Sequence, residues 1–176
     1  MYEKNWILKS GAMATLTAAV LAAMLGFGAS AALAEEPIVG LWLATWTFNS
    51  GGPSDTVLLQ TWDVWHADRT EAMNDSGPVI AGFVCQGAWK PLGNRTYFLS
   101  HPNFNYAGAD GHLDSTSSGV TYEKVTVSKD GNSFEGTGLI KVFTGIDPFD
   151  PSATLLFSLP VKIKAKRVVP DPSQLP

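Results

Sequence analysis

Apolar and polar residues alternate with a period of two along much of the chain after residue 38. In the last apolar run, odd positions from Leu155 to Ala165 are apolar, whereas Lys162 and Lys164 occupy even positions. A period of two places successive side chains on opposite faces of a strand, so this run predicts a strand with one buried and one solvated face. Almost no segment after residue 38 has helical spacing. The pattern therefore predicts an all-β domain.

Eight runs of this kind are separated by clusters of Gly, Pro, Asn and Asp, which is typical of strands joined by turns. Asp130-Gly131 is a strong hairpin signal because both residues tolerate positive φ. Eight sequential strands with short turns predict either a closed up-and-down barrel or a sandwich. The barrel is favoured because closure leaves no exposed edge strand. The predicted strands are about 39–48, 55–65, 69–74, 83–89, 95–101, 120–128, 133–143 and 153–169.

The first 34 residues have the three-part pattern of a cleavable secretory signal. Lys4 and Lys9 precede an almost wholly apolar segment at 11–27, and Ala32-Leu33-Ala34 follows as a cleavage motif. A retained membrane anchor is the alternative, although the Ala-rich segment is short for a span, which needs about 20 strongly apolar residues. The predicted organisation is a helical signal peptide at 1–34, a barrel domain at 35–169 and a flexible tail at 170–176. The predicted location is secreted or periplasmic.

The charge of the mature chain excludes two classes of partner. Without Lys4, Lys9 and Glu3, the 12 basic and 16 acidic residues become 10 and 15, so the net charge is −5. Nucleic acid and anionic membrane surfaces both need a basic face. No second long apolar run follows residue 34, so no membrane span is predicted after cleavage. The oligomeric state is left open, and an oligomer is compatible with the sequence.

Gly40-Leu41-Trp42 opens the first predicted strand, and Arg167 ends the last strand on the parity of its apolar residues. A charge on an inward face needs a partner, and a guanidinium can stack on an indole ring. This arrangement resembles the lipocalin and calycin superfamily, in which a G-x-W on the first strand packs against an Arg of the last strand. The resemblance covers about 38–169. It implies a single eight-stranded antiparallel up-and-down barrel, closed at one end by Gly40, Trp42 and Arg167.

Aromatic residues are abundant and indicate a possible ligand cup. The first strand places Trp42, Ala44, Trp46 and Phe48 on one face, and an eight-stranded barrel has room for side chains or one small ligand. A small, largely apolar molecule is therefore the predicted partner. The candidate ligand-binding residues are Trp46, Phe48, Trp62, Phe83 and Phe98.

Catalytic and metal motifs are not recognisable in the sequence. His66, His101 and His112 are separated by 35 and 11 residues, which matches no metal-ligand motif. The only cysteine, Cys85, lies in an alternating run with Trp89 and is predicted to be a buried thiol. No catalytic residue, metal ligand or cofactor is predicted, so binding is favoured over catalysis.

Two further functions stay open. The first is a barrel isomerase or cyclase that acts on an apolar substrate. Barrels of the allene oxide cyclase-like and dirigent-like group have a similar size and look comparable from sequence, and some of them are enzymes. A structural envelope protein is the other. An acid or histidine pointing into the barrel would favour the enzyme, a wholly apolar cup the binding protein, and a filled interior the structural protein.

Overall fold

The computed structural model describes residues 36–48, 56–77, 84–107 and 111–174, and these ranges hold eight β-strands and one 3-10 turn at Pro172–Gln174. The predicted signal segment at 1–34, Phe83 and the last residues of the tail lie outside them. In the described part of the chain, no helix has the length and apolar character needed to cross a membrane. The strands are β1 (Gly40–Phe48), β2 (Thr56–Trp65), β3 (Thr70–Asp75), β4 (Val84–Gly93), β5 (Thr96–Ala107), β6 (His112–Val127), β7 (Ser133–Thr144) and β8 (Leu155–Arg167).

The eight strands form a closed antiparallel barrel in which each strand pairs with the next along the chain. β8 closes the sheet by pairing with β1, in a register that joins Trp42 to Arg167 and Phe48 to Val161. The predicted all-β, up-and-down barrel is confirmed. Closure follows from the alternating pattern, because every strand has one apolar face to bury and closing the sheet leaves no unpaired edge.

The aromatic core fills the end of the barrel where β1 begins and β8 ends, which we call the closed end. Ring centroids of Trp42 and Phe134 are 4.9 Å apart, and those of Trp89 and Tyr97 are 5.6 Å apart. Trp65 joins the two pairs, with its centroid 6.2 Å from Phe134 and 6.5 Å from Tyr97. Edge-to-face contacts at these distances are favourable for aromatic rings. The closed end is therefore a packed core.

Arg167 and Trp42 contact each other at the closed end, as the sequence predicts. The guanidinium carbon of Arg167 lies 4.1 Å from the Trp42 ring centroid, a cation–π distance. Gly40 has a φ of +135°, and a Cβ at this position would lie 2.5 Å from Nη1 of Arg167. Glycine is thus required both by the backbone conformation and by the approach of the guanidinium.

A short segment before β1 crosses the closed end and satisfies polar groups there. Arg167 donates hydrogen bonds to the carbonyl oxygens of Val39, at 2.7 Å, and Pro37. The indole N–H of Trp42 donates to the carbonyl of Ile38 at 2.7 Å, and Ile38 is fully buried. These contacts hold the segment against the barrel.

Residues 102–107 and 112–119 lie between the fifth and sixth predicted strands and are rich in Asn, Gly, Asp and Ser, yet they extend β5 and β6. The two strands pair as far as Ala107 and His112. Polar side chains bridge the extension, because Asn105 donates to the Ser117 hydroxyl at 2.8 Å and Ser117 donates to Asp114 at 2.6 Å. Local polarity favoured a loop, but ladder hydrogen bonds and these side-chain bridges stabilise a hairpin.

Candidate functional site

The predicted ligand-binding residues divide between the two faces of the barrel. Trp46 is buried in the interior, and Phe48 is half-buried at the end of β1. Trp62 instead faces outward and is 48% exposed. Phe98 is also on the outer face, where it stacks on Tyr122 with centroids 5.9 Å apart.

The expected interior position of Trp62 and Phe98 is therefore corrected. Each residue lies between two buried neighbours on its strand, Thr61 and Asp63 for Trp62, and Tyr97 and Leu99 for Phe98. Because side chains alternate along a strand, these two rings face out of the barrel.

Four ionisable side chains point into the barrel and meet there. Each is 3% exposed or less, and each comes from a different strand. The acid–histidine cluster, as we call it, consists of Asp63 (β2), Glu71 (β3), His101 (β5) and Glu123 (β6). Charged residues are almost never buried to this degree without a partner.

His101 lies at the centre of the acid–histidine cluster. Its Nδ1 is 3.6 Å from Oε2 of Glu71 and 3.7 Å from Oε1 of Glu123. Both distances are too long for good hydrogen bonds. In the described part of the chain, Nδ1 of His101, both Glu71 oxygens, Oδ1 of Asp63 and Oε2 of Glu123 have no hydrogen-bond partner. Buried polar atoms normally have partners, so this concentration marks a functional candidate.

Two carboxyl groups of the cluster, those of Asp63 and Glu123, have raised pKa values. Burial raises the pKa of Asp63 from 3.8 to about 7; the Thr61 hydroxyl opposes the shift and the charge of Glu71 adds to it. Burial also raises the pKa of Glu123 well above its usual value, with further contributions from Asp63 and Glu71. Strongly shifted carboxyl groups close to a histidine are typical of binding and acid–base sites.

Trp46 packs beside the cluster and connects it to the aromatic interior. Its ring centroid is 6.1 Å from that of His101. Its indole N–H donates to the Thr61 hydroxyl at 3.2 Å, which fixes the orientation of the ring. The cluster thus has an aromatic wall on one side.

A gap in the barrel wall lies next to the cluster. The β4–β5 ladder runs only from Ala88↔Ser100 to Gly93↔Thr96, and Pro102 has no backbone N–H with which to continue it. A cavity of 370 Å³ occupies this gap, which we call the β4–β5 seam. Its lining residues are Val84, Cys85, Gln86, Pro102, Asn103, Phe104 and Tyr106.

Gly87 links the seam to the cluster. A Cβ at this position would lie 2.8 Å from Oε2 of Glu71 and 2.8 Å from the Cβ of His101, so only glycine lets β4 pass so close. Cys85, two residues earlier on the same face, lines the seam. On the inward face of β4, the residue that lines the cavity, Cys85, is thus followed directly by the residue that lies against the cluster, Gly87.

Cys85 has no nucleophilic character in this setting. The thiol is buried, and burial raises its pKa to about 12, with contributions from Asp75 and Glu71. A thiol must ionise to act as a nucleophile or metal ligand. The prediction of a buried thiol is confirmed.

Neither a metal-binding group nor a second cavity at the cluster is found among the described residues. Among residues 36–48, 56–77, 84–107 and 111–174, no three His, Cys, Asp or Glu side chains converge to hold a metal ion. A larger cavity of 670 Å³ lies near the closed end, lined mainly by outward-facing side chains of β1, β6, β7 and β8, and contains no cluster residue.

No protein family model matches this sequence, and no curated protein matches it. The site is therefore interpreted from its geometry. The sequence shows no motif for this site, because its four residues lie on four different strands between positions 63 and 123. A signal was present, since His101 shares its parity with Tyr97 and Leu99, and Glu123 shares its parity with Val125.

Proposed function

We propose that this chain is an exported, lipocalin-like barrel that binds a small, largely apolar molecule at the β4–β5 seam. The apolar body of the molecule contacts the seam, and its polar group reaches the acid–histidine cluster. The N-terminal signal pattern supports export, and the closed eight-stranded barrel is compatible with ligand binding.

The observation that carries this proposal is that a partly apolar cavity lies close to buried polar atoms that lack partners: Cys85 lines the cavity, and Gly87, two residues later on the same strand, lies against Glu71 and His101. Val84 is 64% exposed and Phe104 is 56% exposed, so two large apolar side chains face water beside the cavity. The cavity volume of 370 Å³ lies within the usual range for small-molecule sites, about 300–1,000 Å³. A mostly apolar pocket with a few convergent polar groups is the typical form of a ligand site.

The experiment is a titration of the purified protein with a hydrophobic dye, followed by tryptophan quenching. Phe104→Ala removes an apolar contact at the seam. Leu92→Ala is the matched control, because Leu92 is a large apolar residue that is 49% exposed at the opposite end of the β4–β5 ladder. We expect Phe104→Ala to weaken dye binding about tenfold, since burying a Phe side chain contributes about 1.5–3 kcal/mol, and Leu92→Ala to bind like the wild type. Equal effects of the two substitutions would refute binding at the seam.

A barrel enzyme of the isomerase or cyclase type is the second candidate. The observation that favours it is His101 between two carboxyl groups, an arrangement that can accept a proton on one side of a substrate and donate one on the other. Such an enzyme would exchange the α-hydrogens of a bound aliphatic ketone with deuterium from heavy water. Exchange by the wild type that is lost in His101→Asn would establish acid–base activity, whereas binding without exchange favours the binding protein.

Export is tested separately. Mass spectrometry of the naturally exported protein is expected to give a mature chain that starts at Glu35, after Ala34. Recovery of the intact chain with Met1 would contradict cleavage and support the membrane-anchor alternative.

A further inference from the structure

We propose that the acid–histidine cluster selects a protonated amine, so that the β4–β5 seam takes molecules with an apolar body and a cationic nitrogen. This inference rests on the proposed binding function and specifies its ligand class. Its basis is the balance of charge inside the barrel, the arrangement of the oxygens without partners, and the aromatic ring beside them.

The interior of the barrel has an excess of acidic groups. The ionisable groups that face the cluster from the surrounding strands are Asp63, Glu71, Asp75, Cys85, His101 and Glu123. Beside the cluster, the inward residues of β1 and β8 are apolar, for example Trp46 and Ile163, and the inward Arg167 of β8 lies against Trp42 at the closed end. Among the described residues, the wall around the cluster thus presents four carboxyl groups and one basic residue, His101.

Lysine and arginine do not supply the missing positive charge within the described part of the chain. There, the only basic group within ion-pair distance of Glu71 and Glu123 is His101. Arg167 contacts Trp42 and backbone carbonyls at the closed end, while Lys124 and Lys164 are exposed on the outer face. A buried carboxylate without a cation is strongly unfavourable, so the cluster must hold protons or receive a cation from a ligand.

An ammonium group matches the atoms that the cluster presents. It has three N–H donors and no acceptor, and it makes strong hydrogen bonds to carboxylates. The acceptors that lack partners in the described residues are the two Glu71 oxygens, Oδ1 of Asp63 and Oε2 of Glu123. The ring of Trp46 lies next to His101 and offers a cation–π surface. A carboxylate ligand would find only His101 as a favourable partner.

The apolar body of the same ligand has a place in the seam. Val84, Phe104 and Tyr106 line the cavity and are 64%, 56% and 41% exposed, so an alkyl or aryl group would cover them. Gly87, two residues after the cavity-lining Cys85, brings β4 close to Glu71 and His101. A molecule with its amine at the cluster and its apolar part outward satisfies both regions.

Amine binding is coupled to proton release. Burial raises the pKa of Asp63 to about 7 and the pKa of Glu123 well above its usual value, so both groups favour the protonated form more than exposed acids do. An ammonium ion beside them lowers these values again, so protons leave as it binds. Affinity for an amine is therefore expected to increase as pH rises through about 7, as long as the amine itself stays protonated, below about pH 10.

The experiment compares octylamine, octanol and octanoate, which share a chain and differ in the charge of the head group. Binding to the purified protein is measured by calorimetry near neutral pH, in two buffers with different ionisation enthalpies. Glu123→Gln removes a cluster carboxylate, and Glu135→Gln is the matched control because Glu135 is exposed on the outer face of β7. Circular dichroism checks that each variant is folded.

We expect octylamine to bind about tenfold or more tightly than octanol, as a charge-assisted hydrogen bond predicts, and to release protons. Glu123→Gln should abolish that preference and Glu135→Gln should keep it. Equal binding of amine and alcohol, or tighter binding of octanoate, would overturn the amine inference and leave the apolar-ligand function standing. If none of the three binds, the proposed function fails as well. If Glu123→Gln does not fold, proton release from the wild type decides, and its absence overturns the inference.

Discussion

Asp63→Asn provides a direct test of the electrostatics inside the barrel. Asp63 is 3% exposed, and its pKa is about 7 in the folded protein compared with 3.8 for the ordinary group. Asparagine has nearly the same shape as a protonated aspartic acid and carries no charge at any pH. The substitution therefore removes a group whose ionisation destabilises the fold while preserving the packing around it.

The sign and the size of the effect follow from linkage. Between pH 3.8 and about 7 the folded protein keeps a proton on Asp63 that the unfolded chain has lost. The stabilisation from this proton is complete below 3.8 and disappears as pH rises to about 7. One pKa unit corresponds to about 1.4 kcal/mol, so a shift of about three units gives a loss of about 4 kcal/mol. Glu123 adds to the same trend because its pKa is also raised, mainly by burial and further by the charges of Asp63 and Glu71.

The assay is urea unfolding of wild type and Asp63→Asn at several pH values above about 4. Below that range, the surface residues Asp68 and Asp114 interfere, because hydrogen bonds from nearby hydroxyl groups lower their pKa and their contribution to stability is lost in acid. We expect the unfolding free energy of the wild type to fall with pH and that of the variant to stay flatter, with the variant about 4 kcal/mol more stable relative to wild type at pH 8 than at pH 4. Parallel curves would refute the reasoning, and Glu135→Gln should reproduce the wild-type curve.

Three further predictions concern other parts of the barrel. Arg167→Ala should lower the unfolding free energy by about 2–4 kcal/mol through loss of the cation–π contact and the hydrogen bonds to carbonyls, whereas Lys164→Ala should change it by about 0.5 kcal/mol or less; additive effects in a double-mutant cycle with Trp42 would contradict the contact. Gly136→Ala should destabilise by about 1–3 kcal/mol, as measured by urea unfolding, because its Cβ would clash with the backbone carbonyl of Lys124 on β6. Cys85 should react with a thiol reagent only in denaturant, since it is 7% exposed with a raised pKa; rapid labelling of the folded protein would contradict its burial.

The strands and their closure are largely readable from local sequence. The alternation in β8 sets which side chains are inward, and this parity also identifies Arg167 as an inward charge that needs the Trp42 ring. Parity is a property of the extended backbone and holds wherever the strand lies. The same rule places Trp62 on the opposite face from Thr61 and Asp63, and Phe98 on the opposite face from Tyr97 and Leu99, but it does not decide which of the two faces is buried. The hairpin that extends β5 and β6 was harder to predict, because its polar side chains are satisfied only by each other and by the ladder.

The sequence by itself thus determined that the chain forms an alternating β-sheet with one apolar face, and which residues of each strand share a face. It did not determine which inward residues meet. Glu71, His101 and Glu123 are 30 and 22 positions apart along the chain, and only the barrel's closure and register bring their side chains together. The raised pKa values of Asp63 and Glu123 and the seam beside Pro102 also depend on the tertiary structure. They depend on burial and on where a ladder ends, and both are set by neighbouring strands rather than by local sequence.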